Sequence, residues 1–127
     1  MKILIPSNPN FNYFECKKMY EDNQHLIGDD VDFDNVILHT FFYSFIVDNK
    51  FIGCIYYYEQ DDKLFVNVVA NRKTHLINLE CFKKSLGWWN CDIYARSHNK
   101  TAIYGMLKCG FKKIGENLYV YRRKENE

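Results

Sequence analysis

The middle of the chain carries three apolar segments separated by short polar turns. The segments are residues 36–47, 51–59 and 63–70, and all are rich in valine, isoleucine, phenylalanine and tyrosine. Polar residues 48–50 and 60–62 lie between them, as in tight hairpin turns. The pattern predicts three consecutive antiparallel strands. In the middle segment both alternating sets of side chains are largely apolar, so we expect helices on both faces of the sheet.

Two elements are predicted before this sheet. The apolar run within residues 2–6 is too short for a signal peptide, and we expect a short first strand there instead. Residues 11–23 predict a helix, in which aromatic and cysteine residues recur near helical spacing. Residues 24–35 contain Gly28 and four aspartates, and we expect a loop or a ragged second helix there.

After the sheet, apolar residues recur every three or four positions over residues 76–86. This spacing predicts a helix that Thr74 caps and Gly87 ends. Residues 91–96 follow as a predicted strand, with apolar side chains on one side.

The last third predicts one more helix and a hairpin. Ser97 or Asn99 can cap this helix, which ends at Gly110. Residues 111–114 and 118–122 predict the closing hairpin. The element order is therefore β-α-(α)-β-β-β-α-β-α-β-β. It predicts one α/β domain over residues 1–127, with a mixed sheet of the α+β kind.

Composition narrows the classes of protein. No run of eighteen apolar residues exists, so we expect no membrane span and no membrane partner. The five cysteines are single and irregularly spaced, which argues against a disulfide framework and a metal site and favours buried thiols in a cytoplasmic protein. A net charge of +1 indicates no bulk attraction to nucleic acid.

Two segments resemble a known family. Residues 99–111, N-K-T-A-I-Y-G-M-L-K-C-G-F, resemble the "N-x-x-A … G-F" segment of the GNAT acyltransferase superfamily, in which an asparagine opens a helix that ends in Gly-Phe. Residues 51–56, F-I-G-C-I-Y, resemble its third strand. The order of the predicted elements also resembles that of the superfamily, and the resemblance covers about residues 36–124. The chain is similar to the small divergent members found in bacteria and their phages.

The resemblance implies a GNAT fold and acetyl-CoA or another acyl-CoA as co-substrate, without a metal. The acyl-CoA would lie in a gap between residues 65–70 and 91–96, where the fourth and fifth strands diverge. Its pyrophosphate would rest on amides at the start of the following helix, and the amide of Val68 or Val69 would stabilise the oxyanion. The implied cofactor-binding residues are Val68, Val69, Ala70, Arg72, Lys73, Thr74 and Asn99.

One departure from the superfamily lies in the expected pyrophosphate segment. The superfamily has R/Q-x-x-G-x-G/A there, whose glycines let phosphate oxygens approach the backbone. Residues 72–78 are R-K-T-H-L-I-N here and contain no glycine. Arg72 and Lys73 can still pair with phosphates, so we expect weakened rather than lost binding.

Candidates for acid and base chemistry form a short set. The tyrosine that usually protonates the leaving thiolate corresponds to Met106, and Tyr104 lies two residues earlier, about 200° around the helix. Some members work without this tyrosine, because a thiolate leaves readily. We take Tyr104, with Glu59 and His98, as the catalytic candidates. The full set of candidate general bases is Glu59, His75, Asp92 and His98.

The resemblance predicts an N-acyltransferase acting on a primary amine of a small molecule or a protein. Aspartates cluster where this fold builds its acceptor side, so we expect a cationic acceptor that Asp29, Asp30 and Asp32 bind. One alternative is a catalytically degenerate binding or virion-associated protein. Another is modification of a nucleic-acid base, which the basic residues near the C-terminus allow. A monomer and a homodimer both remain open.

Overall fold

A computed structural model describes residues 1–28, 30–71 and 73–123 of the chain. The predicted binding residues Asp29 and Arg72 lie outside these ranges. The described elements, in chain order, are β1 (Lys2–Leu4), α1 (Tyr13–Ile27), α2 (Phe33–His39), β2 (Phe41–Val47), β3 (Lys50–Gln60), β4 (Lys63–Ala70), α3 (His75–Leu86), β5 (Ile93–Arg96), α4 (Lys100–Lys108), β6 (Lys112–Gly115) and β7 (Leu118–Tyr121).

The strands form one seven-stranded sheet in the order β1-β2-β3-β4-β5-β7-β6. β4 and β5 are parallel, and the other neighbouring pairs are antiparallel. Two-residue turns with positive φ close the two hairpins of the meander, at Asp48 and Asn49 and at Asp61 and Asp62. This is the type I′ geometry that twists in the same sense as the strands. The predicted mixed α/β sheet is confirmed.

Helices cover the two faces of the sheet. On one face, α3 and α4 pack over a core that includes Phe82 and Met106. On the other face, α1 and α2 pack over a second core that includes Tyr20 and Phe33. Both faces of β3 are buried for this reason, as the apolar pattern of that strand predicts.

The predicted boundary before the meander is wrong. Residues 36–39 belong to α2, and the strand begins only at Phe41. Phe33 and Val36 are one helical turn apart and are both buried, so a helix places both side chains in the core. The Thr40 hydroxyl donates to the Val36 carbonyl oxygen over 2.7 Å, which satisfies an acceptor at the helix end.

Other boundaries shift by a few residues. α1 runs past the predicted residue 23 to Ile27, where Gly28 ends it at φ 72°. β1 ends at Leu4 rather than at residue 6, and β5 begins at Ile93 rather than at residue 91. Four of the cysteines are buried as predicted, but Cys91 is exposed.

A bulge in β3 fixes where α3 begins. Phe45 pairs with Gly53 and Ile46 pairs with Phe51, which leaves Ile52 as an extra residue in β3. Thr74 stands at the N-cap position of α3 as predicted, but its side chain makes no capping bond to the described amides of the helix; its hydroxyl donates instead to the carbonyl oxygen of Ile52 over 2.7 Å. The residue before α3 is thereby attached to the sheet beside the end of β4.

Within residues 1–28, 30–71 and 73–123, no helix combines the length and the apolar character needed to cross a bilayer. In the same ranges, no three His, Cys, Asp or Glu side chains are grouped so that they could hold a metal ion.

Candidate active site

The parallel ladder between β4 and β5 is short. Leu64 pairs with Ile93 and Phe65 pairs with Tyr94, and in these fully described strands no further pair follows. β4 continues through residues 66–70 while β5 pairs with β7 along its whole length. At a rise of about 3.3 Å per residue, the unpaired edge of β4 is roughly 15 Å long. This edge is one wall of a cleft, and the Phe65–Tyr94 pair is its closed end.

The register decides which peptide groups of β4 line the cleft. The residues that flank a two-residue hairpin turn bond to each other, and bonded pairs then alternate along the strands. In this register the peptide groups of Val69 point toward β3. Gly53 in β3 agrees with this direction, because a Cβ atom added to it would lie only 2.6 Å from the Val69 carbonyl oxygen. The N–H and C=O groups of Val66, Val68 and Ala70 therefore point into the cleft.

Val68 marks the opening of the cleft on one face of the sheet. Its side chain shares the α3 and α4 face with Val66, yet 37% of it is exposed, whereas Val66 is buried. A valine of a central strand that is exposed to this extent indicates that neither helix covers the sheet at this point. Of the two amides expected to stabilise an oxyanion, that of Val68 faces the cleft.

α3 begins at the mouth of the cleft. The helix follows β4 directly, and its first helical hydrogen bond runs from the Asn78 N–H to the Thr74 carbonyl oxygen. Helix geometry leaves the amides of the preceding turn, which includes Leu76 and Ile77, outside the helical ladder. Such amides and the helix dipole attract anions. Lys73 is exposed beside this turn and adds a positive charge.

α4 begins at the same edge, because the carboxyl ends of parallel strands lie together. Asn99 caps this helix, and its side-chain oxygen accepts from the amides of Thr101 at 2.9 Å and Ala102 at 3.1 Å. Ser97, the other predicted cap, accepts from the Asn99 N–H instead, at 3.1 Å. The predicted cap at Asn99 is confirmed, and the asparagine lies at the mouth of the cleft.

Met106 and Tyr104 occupy different environments on α4. Met106 is 6% exposed and belongs to the core between α4 and the sheet, so no hydroxyl group reaches the cleft from this position. Tyr104 is 60% exposed, and the Lys108 ammonium lies 5.0 Å from the centre of its ring. Gly105 between them lets α4 approach α3, since a Cβ atom there would lie 3.2 Å from Leu79 Cδ1.

Glu59 and His98 lie at opposite ends of β5. Glu59 pairs with Leu64, beyond the closed end of the cleft, and its charge acts on Cys91, whose pKa is raised mainly by burial. His98 is exposed next to Asn99, on the mouth side. The structure therefore does not bring these two catalytic candidates together.

Asp92 and His75, the other candidate bases, lie apart from each other. Asp92 accepts hydrogen bonds from the Arg123 amide at 2.8 Å and from the Arg122 guanidinium at 2.9 Å. These contacts, the Arg123 amide foremost, lower the pKa of the Asp92 carboxyl. His75 is exposed in the first turn of α3.

The predicted acceptor-binding aspartates lie between α1 and α2. Asp30 is exposed, and Asp32 stands at the start of α2, where its carboxylate accepts from Asn35 Nδ2 at 2.5 Å. That hydrogen bond lowers the pKa of Asp32. Nearby, the Tyr13 hydroxyl donates to the Asp34 carboxylate, which raises the pKa of Tyr13.

Sequence reasoning missed one group at the closed end of the cleft. Phe65, Tyr94 and Arg96 lie on the α1 and α2 face of the sheet, and the Arg96 guanidinium carbon is 4.2 Å from the centre of the Phe65 ring. The alternation of side chains places Tyr94 and Arg96 on one face, but their contact with Phe65 depends on a strand pairing that the sequence does not display.

Comparison with protein-family models and with curated proteins gave no significant match. Several solved structures share the fold. An aminoglycoside 6'-acetyltransferase of type Ii superposes with a TM-score of 0.66 at 13% identity, over 100% of both chains. A GNAT family acetyltransferase from Elizabethkingia anophelis, with acetyl-CoA bound, gives 0.61 at 15% identity over 96% of this chain and 97% of the other.

A chimeric spermidine N-acetyltransferase, derived in part from Vibrio cholerae, gives a TM-score of 0.51 at 14% identity. The superposition covers 86% of this chain and 73% of the chimera. The likeness in all three cases is one of fold.

Proposed function

We propose that this chain, which has the fold of the GNAT acetyltransferases, is an acyl-CoA-dependent N-acyltransferase that transfers an acyl group to a primary amine. The observation that carries the proposal is the end of the β4–β5 ladder at Phe65 and Tyr94. It leaves a row of strand amides and carbonyls open to a ligand. The pantothenyl arm of coenzyme A contains amide groups that can bond to such an edge.

The proposed orientation of the acyl-CoA follows from the charges around the cleft. Lys73 and the first turn of α3 attract the pyrophosphate at the mouth. The arm then runs along residues 66–70 toward the Phe65–Tyr94 pair, so the thioester lies near the closed end. Thr74 and Asn99 hold the starts of α3 and α4 on either side of the arm.

In the proposed reaction the neutral amine attacks the thioester carbonyl carbon. A carbon–nitrogen bond forms, the carbonyl oxygen becomes an oxyanion, and the Val68 N–H donates to it. The carbon–sulfur bond then breaks, and the sulfur leaves as a thiolate that takes up the proton released by the amine. No hydroxyl at position 106 is required, because a thiolate is a stable leaving group.

We assign removal of the amine proton to Glu59, acting through water, because its pair with Leu64 lies next to the closed end, where the thioester is placed. His98 is the alternative, on the mouth side of the cleft. Tyr104 is assigned no step, because 60% of it is exposed on the outer side of α4. A Glu59→Gln variant that keeps the wild-type pH profile of kcat/KM would eliminate Glu59 as the base, and the same result for His98→Ala would eliminate His98.

We propose that the acceptor is cationic. The support is the acidic connection between α1 and α2, where Asp30 and Asp32 are exposed; Asp29 lies outside the described residues. Two structures with this fold have names that specify polyamine or aminoglycoside acceptors. Both acceptor classes carry several ammonium groups.

The acceptor is tested with spermidine, an aminoglycoside and a lysine-containing peptide. A double variant, Asp30→Asn with Asp32→Asn, should raise the acceptor KM at unchanged acetyl-CoA affinity. Glu80→Gln, which neutralises an exposed carboxylate on α3 at the opposite face of the sheet, is the control. An unchanged KM in the double variant would refute the acceptor proposal.

A second candidate function is acyl-CoA binding without turnover. Burial of Met106 favours it, because the helix then offers no acid to the leaving group. Thermal unfolding with acetyl-CoA separates the proposals, since a ligand at 100 times its Kd stabilises by about 2.7 kcal/mol. Stabilisation with turnover supports the enzyme, stabilisation without turnover for any amine supports the binding protein, and no shift at millimolar acetyl-CoA refutes both.

A further inference from the structure

Two cations lie over the aromatic pair that closes the cleft. The rings of Phe65 and Tyr94 have centroids 5.7 Å apart. The Arg96 guanidinium carbon is 4.2 Å from the Phe65 centroid, and Lys63 Nζ is 5.5 Å from the Tyr94 centroid. Both distances lie within the range of cation–π attraction. Two positively charged side chains therefore contact the pair of aromatic rings at the closed end of the cleft.

The guanidinium of Arg96 is held in place from two sides. Its Nη1 donates to the Gln60 side-chain oxygen over 2.7 Å, and its central carbon lies 4.2 Å from the centre of the Phe65 ring, which is only 2% exposed. A guanidinium fixed in this way loses little conformational entropy when it binds a further group. Its remaining N–H donors match the two oxygens of a carboxylate.

Among the described residues, neither cation forms an ion pair. Both ion pairs found within residues 1–28, 30–71 and 73–123 involve other residues, namely Lys18 with Asp22 and Arg122 with Asp92. Arg96 and Lys63 are exposed. Two cations on one small patch, neither in an ion pair with a described carboxylate, repel each other unless an anion lies between them.

The patch lies at the place where the two reactants would meet. Phe65, Tyr94 and Arg96 lie on the α1 and α2 face, opposite the face on which the Val68 side chain is exposed. The thioester reaches the closed end from the cleft, and the face of the sheet that carries the patch is the one covered by α1 and α2, whose connection contains Asp30 and Asp32.

We infer that Arg96, with Lys63, binds a carboxylate of one of the two reactants. This inference rests on the proposed acyl transfer, which defines the reactants, and it deepens that proposal by naming the substrate class. If the carboxylate belongs to the acceptor, the acceptor is an amino acid whose ammonium group is attracted by Asp30 and Asp32. If it belongs to the donor, the acyl group is a dicarboxylic one.

Binding measured by calorimetry on the full chain tests both sources. The acceptor arm compares L-lysine with L-lysinamide, and the donor arm compares succinyl-CoA with butyryl-CoA. Each pair differs mainly by a carboxylate. The variants are Arg96→Gln, Arg96→Lys, which keeps the charge and the stem over Phe65, and Lys112→Gln as an exposed control.

We expect the wild type to bind the carboxylate member of one pair about tenfold more tightly, as a charge-assisted hydrogen-bonded contact allows. Arg96→Gln should bring that ratio to about one while affinity for the neutral member stays within about twofold. Arg96→Lys should give an intermediate ratio, and Lys112→Gln the wild-type ratio. Unfolding temperatures establish that the variants fold.

The absence of a carboxylate preference in both arms would overturn the inference, and so would a preference that Arg96→Gln leaves unchanged. Failure of both CoA thioesters to bind would refute the proposed function instead. In that case the lysine arm still decides whether Arg96 binds a carboxylate.

Discussion

The hydroxyl group of Thr74 donates a 2.7 Å hydrogen bond to the carbonyl oxygen of Ile52, the extra residue of the bulge in β3. A bulge leaves a carbonyl without its ladder partner, and here the residue before α3 satisfies it. The start of α3, which is assigned to the pyrophosphate, is therefore held in place by the central sheet.

Replacing Thr74 with valine should separate this contact from side-chain shape. Thr74→Val keeps the volume and loses the hydroxyl, so we expect the free energy of unfolding to fall by about 1 kcal/mol. Acetyl-CoA affinity should also fall, because the first turn of α3 is no longer attached to Ile52. Thr40→Val removes an equivalent 2.7 Å bond from a hydroxyl to a carbonyl, that of Val36 in α2, and is the control: it should lower stability without lowering acetyl-CoA affinity. Wild-type affinity in Thr74→Val would show that this attachment does not matter for binding.

Gly53 should tolerate no side chain. A Cβ atom there would lie 2.6 Å from the Val69 carbonyl oxygen and 2.8 Å from Asn78 Oδ1. We expect Gly53→Ala to lower the free energy of unfolding by about 1–3 kcal/mol, as in other overpacked cores. Gly87→Ala is the matched control, since its Cβ atom would have a neighbour only at 3.5 Å and its φ is negative. Equal stability of the two variants in urea unfolding would contradict the tight packing at Gly53.

The buried side chain of Asn78 should lower the free energy of unfolding of the chain. It is 1% exposed, and its side-chain oxygen and nitrogen have no hydrogen-bond partner within the described residues. Leucine has a similar shape and no polar atoms, so we expect Asn78→Leu to raise the free energy of unfolding by about 1–3 kcal/mol. Denaturant unfolding of both proteins measures this change. A clear loss of stability would mean that the amide bonds to an ordered water molecule or a ligand.

Asp92 should contribute to the pH dependence of stability. Its contacts with the Arg123 amide and the Arg122 guanidinium lower its pKa below the ordinary value of an aspartate in the folded chain. The stabilisation is therefore fully present above the unfolded pKa and is lost as the pH falls through the folded pKa. Wild type should unfold at a higher temperature than Asp92→Asn at pH 7, and the difference should shrink toward pH 2. A difference that stays constant with pH would contradict this assignment.

Local patterns were sufficient to predict much of the fold. The alternation of apolar residues and the turn residues 48–50 and 60–62 predicted the meander. The cap at Asn99 and the glycine at Gly110 predicted α4, and Gly110 has the expected positive φ. These signals succeed because each depends on residues that are close together in the sequence.

The missed features depend on contacts between distant segments. The contact of Arg96 with Phe65 joins β5 to β4, and no local spacing encodes the point at which their ladder ends. The start of β2 was misassigned because Val36 fits both a strand and a helix. Burial of Phe33 and Val36 on one helical face, which decides between them, depends on the packing of α2 against α1 and β2.

The central claim is that the edge of β4 beyond Phe65 binds an acyl-CoA arm. Titration of the ¹⁵N-labelled chain with acetyl-CoA, followed by two-dimensional NMR, tests it residue by residue. The account predicts large shifts for the amides of Val66, Val68 and Ala70, which face the cleft, and small shifts for those of Asn67 and Val69, which face β3. Shifts that are absent at millimolar acetyl-CoA, or that leave all of residues 66–70 unchanged, would contradict it.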